Sequence, residues 1–414
     1  MKEVTSIQRI LSEELVTHVG ERVRLAGWVH AIRELGTVSF VVLRDRSGRA
    51  QIVTDDVRDL QPETVFEVEA TVVAAPQAPG GFELHAPEFH VLADPAATPP
   101  IDLRRPALAE TLPTILEHAA VALRHPRQRA PFEISAASLH GFRSTLDRLG
   151  FTEISTPKIV ASATESGANV FALDYFGRTA FLAQSPQLYK QVMAGVFERV
   201  YETGPVFRAE PHDTARHLAE YTSLDGELAF VQDHFDVMRV VREVMAGMVD
   251  AIQERAERAV ELLGVGLPDV PAEIPWVHFS ETGVDDVDLA PADERRLCDE
   301  HGELVFVTGF PLVKRPFYTC SEAGRPQYSN SFDLLFRGLE IVTGGQRLHR
   351  YEDYVAALGD DIRPLEGYVE AFRYGMPPHG GFALGLERWV ARLVGARNVR
   401  ETTLFPRDRT RLTP

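Results

Sequence analysis

Residues 201–228 read YETGPVFRAEPHDTARHLAEYTSLDGEL, and the fold turns on this stretch. Residues 200–208 carry the β-branched and aromatic side chains of a strand, and 218–228 read as a second strand with mixed polar and apolar positions. Between them, 209–217 is a polar loop with Pro211, Asp213 and Thr214, so the stretch predicts a long hairpin with a wide loop. Strand side chains alternate faces. Arg208 and Glu210 therefore share one face, as do Tyr221, Asp225 and Glu227. Charges of both signs beside an aromatic ring make poor core, because unpaired buried charge is expensive. They suit a cleft for a polyanion, an amino acid and a flat base. The plain alternative is an exposed hairpin with solvated charges.

Downstream, 328–347 (YSNSFDLLFRGLEIVTGGQR) reads as a second hairpin, with Asp333 and Glu340 on facing strands. Paired carboxylates beside a phosphate site are the hard oxygen ligands that Mg²⁺ takes. Gly344 and Gly345 permit close backbone approach to a ligand. Arg347 offers a planar fork for a carboxylate. At 379–395, HGGFALGLERWVARLVG runs from an apolar, glycine-bearing strand into a helix with Arg388 in its first turn, where the positive helix end also favours a phosphate. Neither a Walker loop nor a dinucleotide fingerprint occurs.

Upstream, an apolar pattern predicts a helix over 131–149, starting at Pro131 and stopped by Gly150, then a strand in FTEISTP. Residues 163–170 form a small-residue loop and 180–184 a strand. The next helix carries Gln187 and Lys190 on one face. Residues 233–263 predict one long amphipathic helix, 303–310 and 315–320 predict strands, and 264–302 carry no readable chemical motif. Nearer the start, five short alternating segments between 20 and 94, separated by glycine-marked turns, predict a small closed barrel of the OB type. Phe40 and Gln51 fall on adjacent strands, a ring for stacking beside an amide for base edges; periodicity alone favours Phe40 as core. Residues 93–113 are proline-rich and read as a linker.

With 414 residues the chain has room for two or three domains. A net charge of -17 argues against indiscriminate RNA binding, leaving recognition by shape and specific contacts. Cys298 and Cys320 form no metal-type pair and suggest no disulfide framework. The first residues lack a secretory apolar core and no stretch is long and apolar enough for a membrane span, so a cytoplasmic protein without membrane contact is expected.

Taken together, these segments resemble the class II aminoacyl-tRNA synthetases. The helix with GFTEISTP resembles the first motif of that class, a dimer-interface element; FRAE with the loop through RHLAEY resembles the second, and GFALGLER the third. A barrel ahead of this core resembles the aspartyl, asparaginyl and lysyl subgroup. QSPQLYKQ, SNSFDLLFRGLEIVTGGQRLH and RAEPHDTARHLAEYTSLDGE resemble the aspartyl enzymes of the short archaeal type. The resemblance implies an α+β fold: an OB-fold anticodon-binding barrel at 1–98, a hinge at 99–130, and a catalytic antiparallel sheet flanked by helices at 131–414. It implies a homodimer, ATP as a substrate, Mg²⁺, and attachment of L-aspartate to tRNA-Asp through an aspartyl-adenylate.

By the same resemblance, Arg208 grips the α-phosphate and the substrate carboxylate. Glu210 meets the adenine amino group, Tyr221 stacks on the base, and Arg216, His217, Gly385 and Arg388 complete the ATP site. Asp333 and Glu340 bind the metal. Lys190 and Arg347 pair with the aspartate side chain, so that a neutral amide would leave two cations without a charged partner. Gln187 and Asp225 orient its ammonium end, and Glu165 and Thr343 complete the amino-acid site. In the barrel, Phe40, Gln51 and Glu83 take the anticodon. His30 and Pro79 match relaxed members of the family, which implies charging of tRNA-Asn as well, with an amidotransferase converting the misacylated product. Alternatives are an enzyme restricted to tRNA-Asp, an asparaginyl-tRNA synthetase (against which Lys190 speaks), a tRNA-independent ligase on the same core, and a non-catalytic RNA-binding paralogue.

Overall fold

The computed structural model describes residues 7–57, 60–161, 169–209, 211, 214–359, 363 and 365–413, without the Pro79 side chain. Glu165, Glu210 and the Pro79 side chain therefore lie outside the described residues. The chain divides into two compact units, Met1–His125 and Pro126–Pro414.

In the first unit, β1 (Arg22–Leu35), β2 (Val38–Arg44), β3 (Arg49–Thr54), β4 (Val65–Ala74) and β5 (Phe82–Ala93) close into a barrel in the order β1-β2-β3-β5-β4. The alternation read from the sequence is what closes it. Phe66, Val68, Ala70 and Val72 of β4 are fully buried, while the residues between them face outward. Closure removes the free edges that an open sheet would present. The proline-rich segment after β5 is more than a tether, because Ile101 and Leu103 pack on Ala122 beside two short helices, α1 (Leu112–Glu117) and α2 (Ala119–Ala122).

The second unit opens with α3 (Pro126–Arg148), which starts five residues before Pro131. Pro126 takes the first turn, and Pro131 sits inside the helix at the loss of one backbone bond. There follow β6 (Thr152–Glu153), β7 (Ile159–Val160), β8 (Ala172–Tyr175), β9 (Arg178–Leu182), α4 (Gln187–Phe197), β10 (Arg199–Phe207) and β11 (Glu220–Ala229). The long helix expected over 233–263 is broken at Ala256, where φ is -130°, into α5 (His234–Arg255) and α6 (Glu257–Leu263). Residues 264–302, silent in the sequence, supply β12 (Trp276–His278) and α7 (Pro291–His301).

Next come β13 (Leu304–Thr308), β14 (Ser321–Glu322), β15 (Arg325–Ser329), β16 (Ser331–Phe336), β17 (Glu340–Gln346), α8 (Tyr351–Leu358), α9 (Glu366–Val369), β18 (His379–Gly385) and α10 (Leu386–Val394). The strand expected over 315–320 does not form: Pro316 carries no amide hydrogen for a ladder, and only Thr319 makes a lone bridge, to Arg347. Eight strands make one sheet, β12-β13-β16-β17-β18-β11-β10-β6. It is antiparallel through the middle with a parallel pair at each edge. Phe332, Leu334, Phe336, Val342, Leu224, Phe382 and Leu384 pack against α3, α5 and Trp389 of α10 to form the main core.

Candidate active site

Sheet register assembles the site. Asp333 on β16 lies opposite Thr343 on β17, Thr343 opposite Ala383 on β18, and Ala383 opposite Asp225 on β11. Residues directly opposite in a ladder point to the same face. Side chains up to 158 positions apart in sequence therefore form one row across four central strands. Above the row lies a cavity of about 750 Å³, part of it open to solvent, lined by Arg208, Arg216, His217, Tyr221, Glu340, Thr343, Gly385 and Arg388 among others. All the described residues assigned to nucleotide binding from the sequence thus line one cavity. The Arg208 guanidinium sits 5.7 Å from the Tyr221 ring centroid, and Arg208 also borders a second cavity with Phe171 and Arg409. The Thr222 amide donates to both carboxylate oxygens of Glu387 on α10, at 3.0 and 3.1 Å, which fixes the helix carrying Arg388 against β11.

Lys190, Arg347, Gln187 and Asp225 also come together, in a buried network beside the row. Lys190 is 1% exposed; its ammonium donates to Asp225 Oδ1 and to the Phe382 carbonyl, each at 2.9 Å, and lies 3.5 Å from Glu227 Oε2. Arg347 donates from Nε to Glu227 Oε1 at 3.0 Å and from Nη2 to Gln187 Oε1 at 3.4 Å. Ser223 donates to the other Asp225 oxygen at 2.5 Å. Burial opposes ionisation of Glu227, but Arg347 and then Lys190 outweigh it and hold the carboxyl below its usual range. One expectation changes here. Both cations already have carboxylate partners within the chain, so a neutral ligand amide would not leave them bare. Glu227 stood in the opening stretch without a role; it is the anion that ties the two cations together. Gln187 Nε2 is buried with no hydrogen-bond partner among the described residues, a donor left over for a ligand.

Gly381 lies opposite Glu227, and a Cβ there would stand 1.9 Å from Glu227 Oε2 and 2.3 Å from the Gly226 carbonyl. Gly381→Ala is expected to cost about 2–3 kcal/mol, because neither neighbour can withdraw without breaking the network. Chemical denaturation measures this; a change within about 0.5 kcal/mol would show that the strands give way freely. Gly344 and Gly345 have a similar reason. A Cβ at Gly344 would meet the Phe332 ring at 2.5 Å, and one at Gly345 the Asn330 carbonyl at 2.6 Å. Their smallness serves packing between strands, where the sequence had suggested approach to a ligand.

Asp333, at one end of the row, and Glu340 stand on neighbouring strands. Arg315 donates to Asp333 Oδ2 at 3.0 Å, and Arg388 lies 3.9 Å from Glu340. Asp333 Oδ1 is buried without a hydrogen-bond partner among the described residues. Burial, and next the neighbouring Asp333, push the Glu340 carboxyl up to about 7, although 37% of its side chain still opens onto the cavity. An orphaned carboxylate oxygen beside a second carboxylate that resists ionisation is a donor set deficient in positive charge, and Mg²⁺ fits it. No three His, Cys, Asp or Glu among the described residues cluster closely enough to hold a metal by themselves. Two carboxylates leave the remaining positions to phosphates and water. Arg315, and Glu294 on α7, are charged neighbours of this region that carried no signal in the sequence.

On the barrel, Phe40 faces outward and is absent from the core cluster, against the periodicity argument; Val41 on its other side is the core residue. Gln51 donates to Glu83 Oε1 at 2.9 Å across the parallel β3–β5 pair, so these two form one unit. His30 differs from expectation. It is 5% exposed, at a bulge in β1 where two consecutive residues, Val29 and His30, are buried. Its Nδ1 sits 3.4 Å from Arg44, which binds Glu63 through both carboxylate oxygens at 2.8 and 3.0 Å. Burial first, then Arg49 and Arg44, lower its pKa to about 4, so it is neutral at physiological pH and lies beneath the surface. No helix among the described residues is long and apolar enough to cross a membrane.

Comparison with known proteins agrees with this geometry. Residues 111–409 match the model of the class II tRNA synthetases (D, K and N), and 23–92 match that of the OB-fold nucleic acid binding domain. The chain is 44% identical over 431 residues to the aspartate–tRNA(Asp/Asn) ligase of Deinococcus radiodurans, covering 99% of each. It is also 44% identical to the ligase of the same name from Thermus thermophilus, covering 98% of this chain and 100% of that one. Among solved structures it resembles the asparaginyl-tRNA synthetase of Pyrococcus horikoshii with asparaginyl-adenylate, at TM-score 0.92 and 30% identity over 99% of this chain and 100% of that one.

Proposed function

The chain belongs to the class II tRNA synthetases of the D, K and N group, and from that premise we propose how its residues join L-aspartate to tRNA. The enzyme activates L-aspartate with ATP and passes the aspartyl group to tRNA-Asp and tRNA-Asn. The observation that carries the residue assignment is the single row Asp333–Thr343–Ala383–Asp225, which brings a phosphate cavity and a buried cation–carboxylate network side by side.

In this reading the aspartate α-carboxylate attacks the α-phosphorus of ATP, the bond to the bridging oxygen breaks, and pyrophosphate leaves. Arg208 meets the charge developing on the α-phosphoryl oxygens. Arg216, His217 and Arg388 hold the outer phosphates beside Gly385. Tyr221 stacks on adenine, with Glu210 at its amino group. Mg²⁺, held by Asp333 and Glu340, supplies charge neutralisation on the triphosphate when bound. The rest is positioning: both reactants are held so that attack is effectively unimolecular. The ammonium of the substrate takes up part of the Asp225 charge with help from Gln187, Thr343 and Glu165. Its side-chain carboxylate then lies between Lys190 and Arg347, whose internal partners are thereby loosened. An asparagine amide brings no charge with which to compete for them, and leaves buried polar groups mismatched. Finally a hydroxyl of the terminal tRNA ribose attacks the adenylate carbonyl and AMP leaves.

At the barrel, Phe40 stacks on an anticodon base while the joined Gln51–Glu83 pair reads its edge. His30 acts from below through Arg44, and Pro79 is assigned to the same site by the family resemblance alone. Homodimer formation through α3 and β6, work in the cytoplasm, and later conversion of aspartyl-tRNA-Asn by an amidotransferase follow from the family resemblance. Charging purified tRNA-Asp and tRNA-Asn transcripts side by side tests the assignment. Aspartate is expected on both; no product on tRNA-Asn above background would restrict the enzyme to tRNA-Asp.

A further inference from the structure

The nucleotide cavity has an acidic neighbour that none of the foregoing roles uses. Glu294 sits on α7, in the region whose sequence showed no chemistry, and is 9% exposed. Its Oε2 is buried, has no hydrogen-bond partner among the described residues, and lies 3.5 Å from Nη1 of Arg216 on the hairpin loop. Arg388 and Asp333 are within electrostatic reach of the same carboxyl. A buried carboxylate with an unfilled oxygen beside a cavity-lining arginine is an incomplete ion pair. It is strong enough to orient the arginine and weak enough to lose it to a better anion.

We propose that Glu294 is a positioning residue that holds Arg216 at the phosphate end of the cavity until the outer phosphates of ATP displace it, and that it takes the arginine back when pyrophosphate leaves. This rests on the assignment of Arg216 to the outer phosphates. The pairing works against every ligand with a β- or γ-phosphate and is indifferent to a ligand that ends at the α-phosphate. Helix α7 thereby gains a role, since it packs on β13 and β16 and carries the counter-anion of a loop 78 residues away.

The test measures binding of ATP, of pyrophosphate, and of a non-hydrolysable aspartyl-adenylate mimic to the full-length protein by calorimetry. E294Q is compared with wild type, and E294A is carried in parallel with a thermal melt of each, so that a folding failure of one variant does not decide the matter. ATP and pyrophosphate are expected to bind about three- to fivefold more tightly, as when an arginine no longer has to leave a carboxylate, with the adenylate mimic unchanged. In an R216Q background the effect of E294Q is expected to vanish. Equal shifts for all three ligands, weaker ATP binding, or no change would overturn the proposal. If R216Q alone leaves ATP and pyrophosphate affinity unaltered, the fault lies in the assignment of Arg216; if R216Q weakens them while E294Q does nothing, only the Glu294 proposal falls.

Discussion

Lys190→Met will remove about 3–5 kcal/mol of folding stability and abolish activation of aspartate. Methionine nearly matches the length of lysine, so little volume is lost. What disappears is the cation between Asp225 and Glu227, which are 1% and 0% exposed. Two carboxylates would then share a buried space with Arg347 as the remaining neighbouring cation of the network, and removing one partner of a buried pair costs far more than the pair contributes net. Double substitution K190M/D225N takes away one of the orphaned charges and is expected to recover at least about half of the lost stability while activity stays absent. Urea denaturation and aspartate-dependent ATP–pyrophosphate exchange measure the two effects separately. A single variant within about 1 kcal/mol of wild type would mean that water or rearrangement compensates the carboxylates, and the buried network would lose its standing.

Arg208→Ala acts on rate and leaves stability alone. The expected loss in ATP–pyrophosphate exchange is about 10²–10³-fold, the range for removing one preorganised donor from a developing oxyanion. Stability should change by less than about 1 kcal/mol, since Arg208 borders two cavities and packs on a ring that is itself at the cavity wall. Arg208→Lys keeps the charge but not the planar fork, and should restore little. A loss below about tenfold in the alanine variant would remove this side chain from the reacting phosphate.

Much of this was legible from side-chain patterns. The opening hairpin forms as β10 and β11, within two residues of the ends read from its alternation. Asp333 and Glu340 do sit on neighbouring strands, and Arg388 is the third residue of its helix. What escaped depends on partners that no local pattern names. The row from Asp333 to Asp225 is a matter of register between four strands, set by packing across the whole sheet. His30 is assigned to the anticodon site by resemblance alone, and the bulge in β1 that buries it is a local exception to the strand's alternation. Lys190 and Asp225 stand 35 residues apart, and each reads equally well as the partner of a ligand group, so no local pattern pairs them with each other. Glu294 lies in a segment with no readable motif and Arg315 in one read as a strand, and only their ion pairs with Arg216 and Asp333 give them meaning.

The glycines at the middle of the sheet bear on how a descendant of this enzyme would age. Gly344, Gly345, Gly380 and Gly381 stand together on β17 and β18, and at each a methyl group would collide with a neighbouring strand's backbone, with the Phe332 ring or with the Glu227 carboxylate. A gene copy released from selection for aminoacylation, yet still selected to fold, would have to keep all four while its charged residues drifted. Their survival in any relative would thus testify to an intact scaffold and say nothing about whether it still works. A retired copy would betray itself first at Arg208, which borders two cavities and whose replacement is expected to leave the sheet standing.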